Sequence, residues 1–367
     1  MKKTLLALCM TSLAATSAQA YTFDIQETGT KIDFSGSARV KWESVSNKYT
    51  EADGSVSKNH ENQAVDNNGS RFGFKITQNL GDDFYALGRV EWRFRDTNNH
   101  QHNFGHIYAR QLYAGFGHKQ FGELVYGNMT TITDEVKQTD LANTYSLSDG
   151  LLNSASRRVV QYTYKGIDDL KLGAYYGGAS KRNNRNLDLT NRRKSVWGGA
   201  AIYKYEIDDL QSITVGTGVS RETFANADES SYHETAYALD MAYKYDKTTF
   251  GVDLERAVTK DRQRTRNGVT TTPKRVKEEV RTVLHHEITD DWNAYTMYAY
   301  KTDKLDGRAK EKRNEFMLGT EYYLLKQDSF KIKPFIEWAA IRTKNPDYEA
   351  NAKSRDYKTV IGLRAYW

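Results

Sequence analysis

The sequence has almost no cysteine. Cys9 is the single one among 367 residues, and it lies in an N-terminal segment that begins with two lysines and continues with a short apolar stretch. This segment ends in Ala18-Gln19-Ala20, which is typical of a secretory signal cleaved after Ala20. We therefore expect residues 1–20 to be a signal peptide. Residues 21–367 should then form one exported domain without disulfides, which requires a large, regular architecture.

Long hydrophobic runs are also missing. Beyond residue 20 no apolar run approaches the roughly 18 residues that a membrane-spanning helix needs. Hydrophobic residues make up 38% of the chain and the mean hydropathy is −0.76, which argues against a helical membrane protein. The chain contains only three prolines, and proline cannot donate to a β-ladder. The net charge of +6 is too small an excess to indicate a nucleic-acid partner.

A regular alternation of apolar and polar residues is present instead. In the last eleven residues one face carries Tyr357, Thr359, Ile361, Leu363, Ala365 and Trp367. A strand of this length that is apolar on one face and ends in an aromatic has the dimensions of an outer-membrane barrel strand. An open strand edge in lipid would leave backbone groups unpaired. The last strand is therefore predicted to pair with the first, which alternates from Ile32 to Trp42.

Similar stretches recur along the chain, and counting them gives about sixteen. The sequence thus predicts an all-β fold, a transmembrane antiparallel β-barrel of about 16 strands. Short turns with an acidic pair, such as Gly81-Asp82-Asp83-Phe84, alternate with long polar connections. The long connections are predicted over Ser46 to Gly69, Asn183 to Lys194, Lys260 to Lys274 and Thr343 to Ser354.

One long connection differs from the others. Residues 127–156 show no sustained alternation, but they contain apolar residues such as Ile132, Val136 and Leu141 beside several carboxylates. Loops of this length are usually functional or disordered. Because the apolar content argues against a purely solvated loop, we expect this segment to fold into the barrel and pack against the lumen wall.

The chain resembles the trimeric general porins of Gram-negative outer membranes over essentially its whole mature length. The residues that carry the resemblance are the terminal aromatic strand, Ser70-Arg71-Phe72-Gly73-Phe74-Lys75, Ala109-Arg110 and Arg157-Arg158. The resemblance implies a homotrimer in the outer membrane, with the third outer loop narrowing each lumen. Two features depart from the family pattern: the loop lacks a Pro-Glu-Phe-Gly-Gly tip, and the last residue is Trp instead of Phe.

In such porins, loop carboxylates face a cluster of wall arginines across the narrowest part of the lumen. The resemblance assigns Arg71, Arg110 and Arg157 to that cluster. The alternation places further arginines on the same lumen face, and the expected basic wall consists of Arg39, Arg71, Arg89, Arg93, Arg110 and Arg157. The expected acidic loop residues are Asp134, Glu135 and Asp140. Arginines on one wall and carboxylates opposite would create a transverse field, and the excess of arginine predicts a modest anion preference.

The expected function is passive diffusion of small hydrophilic solutes and ions, without catalysis, cofactor or metal. His100, His102 and His106 cluster in an outer loop, where a solvated loop tip is favoured over a metal site. Basic runs such as 262–266 either keep the outer loops soluble or contact phosphates of outer-membrane lipid and lipopolysaccharide. A substrate-specific channel and an adhesin-type barrel remain as alternatives. Most tyrosines map to the outward face, which disfavours the first, and no added plug domain is visible before Ile32, which disfavours the second.

Overall fold

The computed structural model describes residues 21–95, 106–146, 150–327 and 329–367, and within these ranges the chain is almost entirely β-structure. Its strands are β1 Tyr21–Ile25, β2 Thr30–Thr50, β3 Val56–Asn62, β4 Asp66–Asn67, β5 Arg71–Gly81, β6 Phe84–Arg95, β7 His106–His118, β8 Gly122–Thr130, β9 Ala155–Ile167, β10 Leu170–Gly177, β11 Ser180–Arg182, β12 Asp188–Glu206, β13 Gln211–Ala225, β14 Ser231–Tyr245, β15 Thr248–Lys260, β16 Arg264–Arg266, β17 Val269–Thr271, β18 Arg275–Glu287, β19 Trp292–Leu305, β20 Glu311–Tyr322, β21 Leu325–Lys326, β22 Lys331–Lys344 and β23 Lys353–Tyr366. The same ranges contain two short 3-10 helices, Ile132–Val136 and Pro346–Tyr348. No helix in the described part of the chain is long and apolar enough to cross a membrane.

Sixteen of these strands form a closed antiparallel barrel, as the sequence predicts. The ring runs from β2 through β5–β10 and β12–β15 to β18, β19, β20, β22 and β23. It closes because β23 pairs with β2, with Ser37 opposite Tyr366 and Thr50 opposite Lys353. The predicted pairing of the last strand with the first is confirmed. Closure gives each barrel strand a hydrogen-bonding partner on both edges, which lipid demands.

The first strand of the described chain, β1, is not predicted by the sequence patterns. It pairs with the beginning of β2, with Tyr21 opposite Phe34. On the same edge of β2, the Trp367 backbone N–H donates to Gly36 O at 3.1 Å. The Trp367 indole lies over Gly36, where an added Cβ would come within 2.6 Å of the ring. β1 therefore continues the line of β23 and covers an edge that β2 would otherwise leave open.

The two faces of the barrel strands have the polarity of a membrane protein. On β14, Tyr237 and Leu239 are each 54% exposed, whereas the intervening Ala238 and the following Asp240 are buried. The same inversion, with large apolar side chains outside and polar ones inside, recurs around the ring. A continuous apolar outer surface of this kind fits lipid and would be an aggregation liability in water.

The connections differ at the two ends of the barrel. The predicted acidic pairs form short turns, in which Asp83 and Asp169 adopt left-handed backbone angles (φ 63° and 62°) that aspartate tolerates. At the other end the predicted loop bounds were too wide. β2 continues to Thr50 and pairs there with β3, and β12 already begins at Asp188. Polar residues continue the strands beyond the apolar band that contacts lipid. Composition therefore predicts where the lipid contact ends, but it does not predict where the strand ends.

The connection between β8 and β9 folds into the barrel, as the sequence predicts. Its apolar residues meet three groups of wall residues: Ile132 packs with Leu87, Val125, Val159, Tyr175 and Val196; Val136, together with Leu152 of the same connection, packs with Ala236, Ala238 and Ala257; and Leu141 packs with Val283, Tyr295, Met297, Met317 and Ala339. The lumen therefore contains a small hydrophobic core of its own, which holds the described residues 131–146 and 150–154 against the wall. We call this segment the lumen loop.

Small residues in the wall make room for the lumen loop. An added Cβ on Gly216 would lie 2.6 Å from Val136 O, and one on Gly251 would lie 2.7 Å from Gln138 O. Both distances are far below van der Waals contact. The absence of a side chain at these two positions allows the loop backbone to approach the sheet directly.

Candidate functional site

Arginines gather on the lumen face of the first strands because those strands keep their alternation. Arg39, Arg71 and Arg93 occupy inward positions of β2, β5 and β6, and Arg71 lies directly opposite Arg93 in the ladder. The charges that act most on Arg71 are those of Arg93, Arg39 and Glu91. Like charges opposite each other destabilise a sheet. The patch therefore holds like charges together at an energetic cost, which the charge of Glu91 partly offsets.

Arg110 joins this patch through an irregularity in β7. The register shifts between Glu91 and Trp92, so that Glu91 faces Gln111 and Trp92 faces Ala109, and Arg110 is the extra residue. Such a β-bulge redirects a side chain. The charges of Arg93 in the wall and of Asp134 in the lumen loop both act on Arg110.

A buried carboxylate, Glu91, lies within the arginine patch. Its Oε1 accepts from Arg93 Nε at 2.6 Å, and its Oε2 accepts from Arg89 Nη2 at 3.3 Å and from Gln111 Nε2 at 2.9 Å. Glu91 thus orients two of the arginines and offsets part of their charge. The sequence analysis did not assign it, although its inward position on β6 was readable from the alternation.

Arg364 is a second charged residue beside the patch that the sequence analysis did not assign. It lies on β23, is 6% exposed, and acts electrostatically on both Arg39 and Arg71. Its guanidinium donates to the backbone oxygen of Asn143 in the lumen loop. The barrel closure brings the last strand beside the first, and this long-range contact has no local sequence signal. Its inward position in the last strand was the only available sign.

Arg157 lies apart from the other predicted wall residues. Its Nη1 donates to Asn186 Oδ1 at 2.7 Å, and its charged neighbours are Arg182 and Arg158. The cause is local: the pairing of β8 with β9 is irregular between Gly127 and Met129, and Arg158 has a left-handed backbone (φ 58°). The alternation that favoured an inward Arg157 is therefore interrupted at this residue.

The three predicted loop carboxylates have different surroundings. Asp134 pairs with Lys137 at 3.0 Å and acts on Arg110. Glu135 pairs with Lys171 on β10. Asp140 is exposed and acts on Lys137. Of the three, Asp134 is the one whose interactions reach the basic wall.

Wall carboxylates hold the lumen loop by its backbone. Glu337 accepts N–H groups from three consecutive residues: Asn143 at 2.6 Å, Thr144 at 2.9 Å and Tyr145 at 2.8 Å. Asp253 accepts from the N–H of Gln138 at 2.8 Å. These contacts replace the hydrogen bonds to water that the loop backbone would make outside the barrel. The loop position is therefore fixed by specific partners in addition to apolar packing.

Of the three clustered histidines, His106 is exposed at the start of β7, and His100 and His102 lie outside the described residues. Among the described residues, the group of side chains close enough to share a metal ion is Asp240, Asp253 and Glu255, behind the lumen loop. The sequence analysis did not single out this group, because its members are distributed over two strands.

Comparison with known proteins covers the whole chain. The model of the Gram-negative porin family matches residues 4–331. A major outer membrane protein of Pasteurella multocida is 27% identical, with both chains covered completely. Among solved structures, the anion-selective porin from Comamonas acidovorans superimposes with a TM-score of 0.64 at 13% identity, covering 92% of this chain and 100% of that one. The trimer form of in-vitro folded OmpT from Vibrio cholerae gives 0.61 at 17% identity, covering 92% and 99%.

The two structural likenesses establish the fold, and the family match extends over most of the sequence. The apolar outer surface, the sixteen-stranded closure and the lumen loop agree with that match. The chain belongs to the Gram-negative porin family and is a β-barrel channel of the outer membrane.

Proposed function

We propose that this porin is a passive diffusion channel for small hydrophilic solutes and ions, with a modest preference for anions. The observation that carries the proposal is the convergence of Arg39, Arg71, Arg93 and Arg110 on one side of the lumen. On the other side the lumen loop offers Asp134 to the same field. Polar solutes that orient in the field would pass, whereas apolar solutes would have to displace water that the field orders, with no polar groups to replace it.

The preference is modest because carboxylates offset part of the basic charge. Glu91 binds Arg93 and Arg89, and Glu43 binds Lys41. Both carboxylates are buried, whereas Arg89 keeps 35% of its side chain exposed and Arg93 keeps 23%. The charge that a passing ion meets is therefore more positive than the count of groups suggests. At physiological salt the Debye length is about 8 Å, so charges near the pore axis are only partly screened.

The test is the reversal potential of the purified protein in a planar lipid bilayer with a salt gradient. The wild type should show a potential of the anion-selective sign. The Arg71→Ala and Arg110→Ala variants should shift it toward cations, because each removes a positive charge from the lumen. Arg256→Ala is the matched control, since Arg256 lies on the exposed side of β15. A reversal potential that does not move in either lumen variant would refute the assignment.

The chain is further proposed to assemble as a homotrimer. The Vibrio cholerae neighbour is described in a trimer form, and β7 alternates weakly, as a strand that faces protein does. Chemical cross-linking in detergent should give a three-chain species, and channels should close in thirds. We also propose that the basic outer loops, such as residues 262–266, contact the phosphates of lipopolysaccharide. Added lipopolysaccharide should then protect these loops from proteolysis.

Removal of residues 1–20 by signal peptidase is proposed on the sequence pattern, with residues 21–367 forming the barrel domain. Sequencing of the mature N-terminus should start at Tyr21. The channel is also proposed to work without enzymatic activity, cofactor or energy input, so that conductance should be the same with and without nucleotides.

A further inference from the structure

Basic side chains form a row on the outer surface of the barrel, at the end that carries the long connections. Lys48 of β2 lies directly opposite Lys58 of β3 on one side and Arg355 of β23 on the other. Arg355 in turn lies opposite Arg342 of β22. Four cations therefore occupy neighbouring positions on four adjacent strands, about 5 Å apart from strand to strand.

A second basic row lies two residues further from the apolar band. Lys344 is directly opposite Lys353 on one side and Lys312 on the other. Both rows face outward, because they are in phase with the exposed Ile361 on β23 and the exposed Ile336 on β22. The members of the two rows are all exposed, and we call them the outer basic patch: Lys48, Lys58, Lys312, Arg342, Lys344, Lys353 and Arg355.

The outer basic patch differs from other exposed cations of the protein because it lacks acidic partners. Arg182 lies 3.3 Å from Asp188, and Arg192 lies 2.8 Å from Glu229. In the part of the chain that the structure describes, by contrast, none of the seven patch residues forms an ion pair. Like charges directly opposite each other destabilise a sheet. The patch thus presents seven positive charges that the described chain does not offset.

Acidic residues of the same region turn toward the lumen side. Asp356 of β23 accepts a hydrogen bond from Asn47, and Glu349 in the following connection accepts one from the Tyr49 hydroxyl at 3.1 Å. Asn47 and Tyr49 occupy the inward positions of β2, on either side of Lys48. The outward face at this end of β2 and β23 is therefore positive, although the strands and their connections also contain acids.

The basic rows lie just beyond a belt of aromatic side chains. Tyr357 is two residues nearer the apolar band than Arg355, and its ring stacks on Trp338 with 6.3 Å between the centroids. Phe316 contacts Trp338 edge-on at 6.4 Å. Such belts mark the boundary between hydrocarbon and head groups. Because a strand rises about 3.4 Å per residue, the first basic row lies about 7 Å along the strand beyond Tyr357, at the level of the head groups.

A cavity of about 400 Å³ separates the cations of the first row. Sites for small ligands typically have volumes of roughly 300–1,000 Å³. Three cations and an aromatic ring are among the residues that line this cavity: Ser46, Lys48, Lys58, His60, Arg355 and Tyr357. The cavity therefore combines positive charge with a ring on the side that faces the membrane.

We propose that the outer basic patch binds the phosphorylated head group of lipopolysaccharide. A phosphate between Lys48, Lys58 and Arg355 would offset the repulsion within the row, since ammonium and guanidinium groups both bind phosphate oxygens. The acyl chains would lie along Tyr357 and Trp338. The aromatic belt directly below the cations favours a membrane amphiphile over a soluble polyanion.

This inference rests on the proposed contact of the protein with lipopolysaccharide, and it adds a binding site on the strands to the contact of the loop at residues 262–266. The site is outside the lumen. Its test is therefore independent of the reversal-potential measurement, which examines the arginines inside the barrel.

The experiment measures the affinity of the purified full-length channel, freed of bound lipid in detergent, for fluorescently labelled lipopolysaccharide. Lys48→Gln/Arg355→Gln is the test variant, because it removes two charges from the first row and keeps polar side chains. Arg182→Gln/Arg192→Gln is the matched control, since it removes two exposed cations that already have acidic partners. A third variant, Arg262→Gln/Arg264→Gln, examines the loop contact separately. Compact migration in detergent gels shows that each variant is folded.

The Kd of Lys48→Gln/Arg355→Gln should rise by about 30-fold, because each basic residue near an anionic membrane surface strengthens binding by roughly fivefold. The Kd of Arg182→Gln/Arg192→Gln should stay within about threefold of wild type. Dephosphorylated lipopolysaccharide should bind the wild type at least about 30-fold more weakly than the intact lipid does.

A folded Lys48→Gln/Arg355→Gln variant that binds within about threefold of wild type would overturn the proposal. If only Arg262→Gln/Arg264→Gln loses affinity, the loop contact is supported and the strand site is rejected. If the wild type does not bind lipopolysaccharide, both contacts are rejected. Tighter binding of heparin than of lipopolysaccharide would also overturn the proposal, because it would assign the patch to a soluble polyanion.

Discussion

Replacement of Glu337 by glutamine tests whether the lumen loop is held by its backbone contacts. Glu337 is 1% exposed, and its two oxygens accept the N–H groups of Asn143, Thr144 and Tyr145 and the hydroxyl of Tyr295 at 2.9 Å. Glutamine has the same shape, but it presents one oxygen and one NH₂ group. The NH₂ group will face N–H donors whichever way the amide is turned.

The magnitude follows from the number of donors that lose their acceptor. Asn143 N and Tyr295 OH share Oε1, and Tyr145 N uses Oε2, with Thr144 N reaching both. About two donors will be unsatisfied in Glu337→Gln, and each costs about 1–3 kcal/mol when buried. The local opening of the loop should therefore become easier by about 2–6 kcal/mol. Since 1.4 kcal/mol is about tenfold, the open population should rise by at least about 30-fold.

The assay is hydrogen exchange of the folded channel, followed by mass spectrometry of peptides that cover residues 137–146. Protection in these peptides should fall by about 30-fold or more in Glu337→Gln, while peptides from β12 to β14 keep wild-type protection. Single channels of the variant should also show more frequent brief closures. Glu61→Gln, at an exposed position of β3, is the control. Loop protection within about threefold of wild type would refute the reasoning, because apolar packing alone would then be holding the loop.

Two further changes test other parts of the wall. Arg281→Met should lower stability by about 3–5 kcal/mol, because it leaves Asp253, Glu255 and Glu279 without their shared partner. The readout is the temperature at which the barrel loses its compact migration in detergent gels, with exposed Arg256→Met expected to stay near wild type. Gly216→Ala should displace the lumen loop, since the new methyl would meet Val136 O at 2.6 Å, and overpacking of this kind costs about 1–3 kcal/mol. The single-channel conductance of Gly216→Ala should differ from that of the wild type. An unchanged conductance would contradict the prediction that the new methyl group displaces the lumen loop.

The barrel was predictable because its determinants are local and repeated. The alternation around Phe74 and Ile76 indicates which face of β5 meets lipid. The acidic turn at Asp82 and Asp83 indicates where the chain reverses direction. Closure follows from the chemistry of an open edge in lipid, and no single residue has to reveal it. Strand ends were less predictable, since β12 begins at Asp188 within a polar stretch that looks like a loop.

The details of the site were less predictable because they depend on irregularities and on contacts between distant strands. Arg110 lies at a bulge in β7, and Arg157 lies at an irregularity in the pairing of β8 with β9. Both features break the alternation on which the prediction rested. Arg364 reaches the same region from the other end of the chain. Such residues are found only when the strands are placed side by side.

The lumen loop explains why the carboxylates of the barrel interior need not attract cations into the pore. The sequence contains 53 basic and 47 acidic residues, so the composition alone predicts little selectivity between anions and cations. However, Asp253, Glu255 and Glu337 are between 0% and 4% exposed, and their oxygens accept hydrogen bonds from the loop. These negative charges are turned toward the loop backbone and away from the solvent path, whereas Arg89 and Arg93 retain exposed surface. A diffusing ion should therefore experience the arginine patch more strongly than the acids that anchor the loop, and the sign of the selectivity should follow the exposed charges and not the composition.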